Sequence, residues 1–157
     1  MKTLLSCLVL SAALMACDET RVYEDHVNPP DAFWLADSLA RFEFEIDNYQ
    51  QEYNVLVNIR NGLQFPHANI YIKYALKDSL DAELVGELRN FDLFNTKSGY
   101  PVGQGSGDIY ESQHVLLKNY AFPASGLYQI DLQQYMRYDS LPQIYSVGIR
   151  VEKAQPD

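Results

Sequence analysis

The sequence predicts an all-β fold: an antiparallel, jelly-roll-like β-sandwich of about eight strands behind a signal peptide and a short tether. Three observations lead there. Short segments in which apolar and polar residues alternate succeed one another from Arg41 to the C-terminus, and that period of two is the signature of a half-buried strand. Clusters of Gly, Pro, Asn, Asp and Ser punctuate them where hairpins need turns. No helical pattern of useful length follows residue 17.

Residues 1–16 read as a lipoprotein signal peptide. Lys2 supplies a positive start, Leu4, Leu5, Leu8, Val9 and Leu10 an apolar centre, and Ala12, Ala13 and Ala16 small residues before a cut. The apolar stretch is shorter than the roughly 20 residues that span a bilayer. Leu14-Met15-Ala16-Cys17 has the form of a lipobox, whose cysteine is diacylated. Cys7 leaves with the signal, so Cys17 is the one cysteine left and no internal disulfide is available. Lipidation, with palmitate or a similar chain, accounts for it. The fold then relies on its core, and a chain of this length buries about two thirds of its unfolded surface without covalent staples.

Residues 17–37 read as the lipidated cysteine and a tether, because Pro29 and Pro30 lack N–H groups and fix φ. Tyr23, Phe33 and Trp34 in this stretch suggest a segment laid along the sandwich and pinned by aromatics. Residues 38–157 read as the β-sandwich domain. Phe42, Phe44 and Ile46 alternate with charge; Val55, Val57 and Ile59 follow, then Ile70, Ile72, Tyr74 and Leu76. Glu83 to Phe94 holds one or two strands, with Gly86 a candidate bulge. Asn95 to Asp108 reads as a loop and Tyr110 to Lys118 as a weaker strand. Tyr128, Ile130, Leu132 and Met136, then Tyr145, Val147, Ile149 and Val151, complete the pattern.

The net charge of −9 argues against nucleic acid as a partner and against electrostatic attraction to anionic lipid. Membrane association therefore falls to the acyl chains. Gly103-Gln104-Gly105-Ser106-Gly107-Asp108 lacks the Gly-Lys-Ser/Thr ending of a phosphate loop, and Ser106 lacks the first glycine of a nucleophile elbow. His26, His67 and His114 have no second ligand at zinc spacing. Asp78, Asp81 and Glu83 cluster without the regular oxygen spacing of a calcium loop. No catalytic residue, metal or cofactor is therefore assigned. Among the twelve tyrosines, Tyr135, Tyr138 and Tyr145 crowd the last hairpin beside Arg137. Tyrosine and arginine are enriched at interfaces, so Tyr135, Arg137 and Tyr138 are the candidate partner-binding residues.

Longer segments carry a resemblance. They are Cys17-Asp18 with Val22-Tyr23-Glu24-Asp25, the run Tyr53 to Asn61, the run Phe65 to Tyr71, Gly103 to Tyr110, Phe122-Pro123 with Gly126-Leu127-Tyr128, Gln134 to Arg137, and Val147 to Lys153. In this order behind a lipobox, the chain resembles the GldH gliding-motility lipoproteins of the Bacteroidota. The resemblance implies a cell-envelope protein, lipid-anchored on the periplasmic side or at the outer membrane and linked to gliding and type IX secretion. It implies docking to other envelope motility or secretion proteins and carries no catalytic residues with it. A glycan-binding lipoprotein is the alternative reading, and an envelope hydrolase a third. Coplanar exposed aromatics would favour sugar, an apolar patch with a polar rim a protein partner, and a deep pocket with facing carboxylates an enzyme.

Overall fold

The structure, a computed structural model, describes residues 18–155. The signal segment and Cys17 lie outside the described residues. Eleven strands follow one another: β1 (Arg21–Val27), β2 (Phe33–Leu35), β3 (Ala40–Ile46), β4 (Glu52–Gly62), β5 (Asn69–Asp78), β6 (Glu83–Asp92), β7 (Gln104–Ser106), β8 (Ile109–Ala121), β9 (Gly126–Gln134), β10 (Ser140–Pro142) and β11 (Ile144–Lys153). Three of them, β2, β7 and β10, are three residues long; the rest are the expected eight.

One sheet has the order β1-β11-β4-β8-β7 and the other β3-β9-β5-β6, with β10 and β2 forming a separate pair. Every pairing is antiparallel. Numbered along the chain, the eight long strands lie first-eighth-third-sixth against second-seventh-fourth-fifth, which is the jelly-roll order of two interlocked Greek keys. The expected sandwich is the observed fold.

The alternation read from the sequence is the alternation of burial. In β3 the pattern is strict, with Ala40, Phe42, Phe44 and Ile46 buried and Arg41, Glu43 and Glu45 exposed. Ile70, Ile72, Tyr74 and Leu76 from β5 meet Val55, Val57 and Ile59 from β4 and Val147, Ile149 and Val151 from β11 in one continuous core. At one end, Phe122 is enclosed by Phe44, Tyr53, Tyr120 and Tyr128, with centroids 4.6–6.0 Å away. These rings come from both sheets, so the cluster joins them there. Edge-on and tilted geometries of this kind add to simple burial.

Four expectations are corrected. The segment 17–37 is no free tether from Arg21 onward: β1 pairs with β11 over Arg21 to Val27, and β2 pairs with β10 so that Trp34 lies opposite Leu141. Tyr23 packs at 5.9 Å on Phe44, and Trp34 is 2% exposed. The prolines that suggested a break sit between β1 and β2, in a tight turn where Asp31 and Ala32 take positive φ. The loop 95–108 contains β7, which folds back on β8 through Gly107 at φ 69°. Gly103 and Gly105 lie so close to the β8 backbone that a Cβ would collide with it. The strand expected to be weak, β8, is the longest at 13 residues. Gly86 simply pairs with Ala75, and the irregularity falls between Leu76 and Lys77.

Polar side chains tie strands together on both outer faces. Asp131 on β9, 6% exposed, receives Arg41 Nε from β3 at 2.8 Å and Lys77 Nζ from β5 at 3.4 Å. On the other sheet, Gln113, Asn58 and Glu24 are linked in sequence across β8, β4 and β1. Arg150 on β11 meets Glu24, Glu152 and Asp18. The guanidinium of Arg150 holds the Asp18 carboxyl well below the usual carboxylate range, helped by the Thr20 hydroxyl. That pair is therefore ionised at neutral pH and far into the acid range.

Two outcomes are expected. Trp34→Ala should cost about 3–5 kcal/mol, the usual range for a buried aromatic, and deleting residues 18–37 should abolish cooperative unfolding because β11 loses a partner. Urea titration tests both, and a Trp34→Ala loss below about 1 kcal/mol would contradict the packing. His114 lies 4.8 Å from Phe91 in a stacked arrangement, and burial pushes its imidazole below the ordinary value while Asp92 opposes. With the folded value below the unfolded one, His114 supports stability above about pH 6.5 and withdraws support as pH falls through that value. Titrations at about pH 7.5 and about pH 5.5 should show a drop that shrinks in His114→Gln; an unchanged drop would place its origin elsewhere.

Candidate functional site

The end of β9 builds an open, largely apolar cleft. The strand stops at Gln134, and the chain then turns through Tyr135, Met136, Arg137 and Tyr138 before β10. Gln134 is 1% exposed, so its amide must find partners inside. Its Nε2 donates to the Tyr138 carbonyl at 2.8 Å and its Oε1 accepts from the Met136 N–H at 2.9 Å. One buried side chain thus closes the turn on itself. Tyr135 N–H adds a 2.8 Å bond to the Tyr71 carbonyl of β5. The neighbouring Gln133 reaches the Ala36 carbonyl at 2.6 Å, and Ala36 N–H reaches the Asp139 carbonyl at 2.9 Å.

The resulting cleft has a volume of about 700 Å³ and is lined by Ala36, Tyr71, Leu88 and the run Gln133 to Tyr138. Tyr135 and Tyr138 are 56% and 54% exposed, Leu88 49% and Tyr71 40%. The Tyr138 ring lies 4.8 Å from His67, and His67 meets Phe65 edge-on, so Tyr138 is steadied from behind. Arg137 is exposed, and among the described residues no carboxylate lies within 4.0 Å of its guanidinium. Asp139, two residues further on, makes no ion pair with it.

Tyr135, Arg137 and Tyr138 therefore line one surface, as their closeness in sequence allows. Tyr71, Leu88 and Met136 join them and were not singled out by sequence reasoning. The available signal was compositional: Tyr71 and Leu88 stand on the solvent side of β5 and β6, among Lys73 and Asn90. Met136, expected to face the core, is partly buried against it and also accepts the Tyr71 N–H through its sulfur at 3.3 Å. Cys17 lies outside the described residues. Among the described residues no three His, Cys, Asp or Glu side chains gather closely enough to hold a metal ion. No helix among them is long and apolar enough to cross a membrane.

The fold and this cleft define a class: a jelly-roll β-sandwich with an open aromatic surface at one end. The GldH lipoprotein family model matches residues 21–151, and the chain belongs to that family, which makes it a membrane-anchored lipoprotein of the cell envelope. The match begins at β1, the edge strand that pairs with β11. A gliding motility lipoprotein GldH homolog of Christiangramia forsetii is 29% identical over 146 residues, covering 88% of each chain. The gliding motility lipoprotein GldH of Flavobacterium johnsoniae is 27% identical over 154 residues, covering 93% of this chain and 94% of its own. Among solved structures, a carbohydrate-binding module specific for non-crystalline cellulose has a TM-score of 0.45 at 11% identity, covering 85% of this chain and 74% of the module. That likeness is too remote to bear on function.

Gln134→Ala should release the turn while leaving β9 intact. Removing a buried amide with two partners costs about 1–3 kcal/mol, and amide exchange at Met136 should quicken most. Unchanged exchange from Met136 to Tyr138 would show that the turn does not depend on Gln134.

Proposed function

We propose that this chain is a non-enzymatic envelope lipoprotein, anchored by a diacylated Cys17, that docks another protein of the gliding-motility and type IX secretion machinery through the Tyr135–Tyr138 cleft. The observation that carries the proposal is the preformed turn. Gln134 holds the backbone of the turn that carries Tyr135, Arg137 and Tyr138 before any partner arrives, so little loop entropy remains to be lost on binding. Exposed rings beside an unpaired arginine are the composition of binding hot spots.

The chemistry describes the partner. An apolar side chain fits between Tyr71, Leu88 and Met136, and a carboxylate satisfies Arg137. The lining holds no carboxylate, whereas glycosidic cleavage uses two, so the composition favours binding. The names of the two relatives support a place in gliding motility. The side of the envelope is part of the proposal: the periplasmic side or the outer membrane.

A photo-crosslinking residue at Tyr138, in cells, should capture a discrete envelope protein. Arg137→Glu in that background should weaken capture by about tenfold or more, the scale of a lost interface anchor, with the melting temperature unchanged. Full capture and full envelope function in Arg137→Glu would overturn the docking assignment.

A further inference from the structure

The anchor end of the jelly roll has a posture of its own. Asp18 follows the anchor cysteine directly, so their Cα atoms are about 3.8 Å apart. Asp18 is held to the sandwich by the Arg150 guanidinium of β11, and its carboxylate also accepts the Thr20 hydroxyl at 2.6 Å. The Thr20 carbonyl accepts the Lys153 N–H at 2.8 Å. The chain is thus tied to the sheet from the first residue after Cys17. Among the described residues, no free linker precedes the domain.

The same end carries exposed apolar tips. Strand register places them together: Arg21 lies opposite Glu152, Lys153 opposite Tyr53, Ile46 opposite Gly126 and Asp78 opposite Tyr128. Leu80, in the turn after Asp78, is 86% exposed, the highest of the large hydrophobic residues among those described. Tyr49 follows Ile46 in the next turn, and Leu127 sits beside Gly126; both are exposed. The acids flanking Leu80 already have partners. Asp78 accepts the N–H groups of Leu80 and Ala82, at 2.9 and 3.0 Å, and Asp81 pairs with Lys77 at 2.9 Å. The cleft lies at the other end of β9, whose nine residues span about 25–30 Å.

We infer that this end of the sandwich rests on the bilayer that holds the acyl chains, with Leu80 and Tyr49 at the headgroup level and the cleft facing away from the membrane. The inference rests on the lipidation of Cys17. The occupant is a lipid surface because the covalent anchor leaves no room for a protein layer between Asp18 and the bilayer. Leucine and tyrosine suit the boundary between acyl chain and headgroup. Asp47 and Glu19 at this end offer anionic lipid no attraction, so the contact is apolar and insensitive to salt.

The mature lipoprotein, reconstituted in phosphatidylcholine vesicles, tests it. An environment-sensitive fluorophore is attached at Leu80→Cys or, at the cleft end, at Lys97→Cys, and lipid-borne quenchers report depth. Quenching several-fold stronger at residue 80 than at residue 97, unchanged in high salt, is the expected result. Equal exposure of both labels to water, with the protein still sedimenting with the vesicles, overturns the posture and leaves the anchor reading intact. Cys17→Ser that still sediments with the vesicles would overturn the anchor reading itself, and the posture with it.

Discussion

The last strand of the chain sits between β1 and β4, and most of the architecture follows from that placement. Val147, Ile149 and Val151 are fully buried, while both backbone edges of β11 are paired over nearly their whole length. An edge left open there would expose N–H and C=O groups along a strand whose inner face is entirely apolar. β1 closes it and carries the exposed polar residues Glu24, Asp25 and His26, which discourage a further strand. Gly148 matters at this seam, because the backbone of Asp25 and the His26 side chain occupy the space of a Cβ. The jelly roll is therefore completed by pairing the first and last strands, a contact of the greatest sequence separation and one that is slow to find.

The two outer faces show how an acidic chain places charge without weakening the sandwich. Asp131 sits under Arg41 and Lys77, so one mostly buried carboxylate is shared by two cations across three strands. The net gain of such an arrangement is modest, since desolvation offsets attraction. Its value lies in register, because a slip of one residue would carry Asp131 into the core. Arg150 plays the corresponding part on the other sheet and adds the N-terminal segment to the network.

Asp18 and the cleft thus lie toward opposite ends of the sandwich. The same β9 begins beside the aromatic cluster around Phe122 and ends at the buried amide of Gln134. The turn at the cleft is likewise held by its own hydrogen bonds.

How much of this was legible in the sequence depends on the range of the interactions involved. Alternation in Phe42-Phe44-Ile46, Ile70 to Leu76 and Tyr128 to Leu132 is local, because successive strand residues point to opposite faces whatever the partner strand. The sandwich class, the strand succession and the closeness of Tyr135, Arg137 and Tyr138 were readable on that ground. The lipobox reading of Cys17 is a motif reading and lies outside the described residues. β1 was not, because Arg21 to Val27 carries charge and apolar residues in no clear period, and two prolines follow it. It becomes a strand because β11 presents a free edge. Tyr71 and Leu88 enter the cleft only through the β5–β6 and β5–β9 registers. Composition and period determined which segments extend and which faces are apolar; tertiary structure decided which edges meet, since hydrogen-bond partners across a sheet are chosen by chain topology and not by neighbours in sequence.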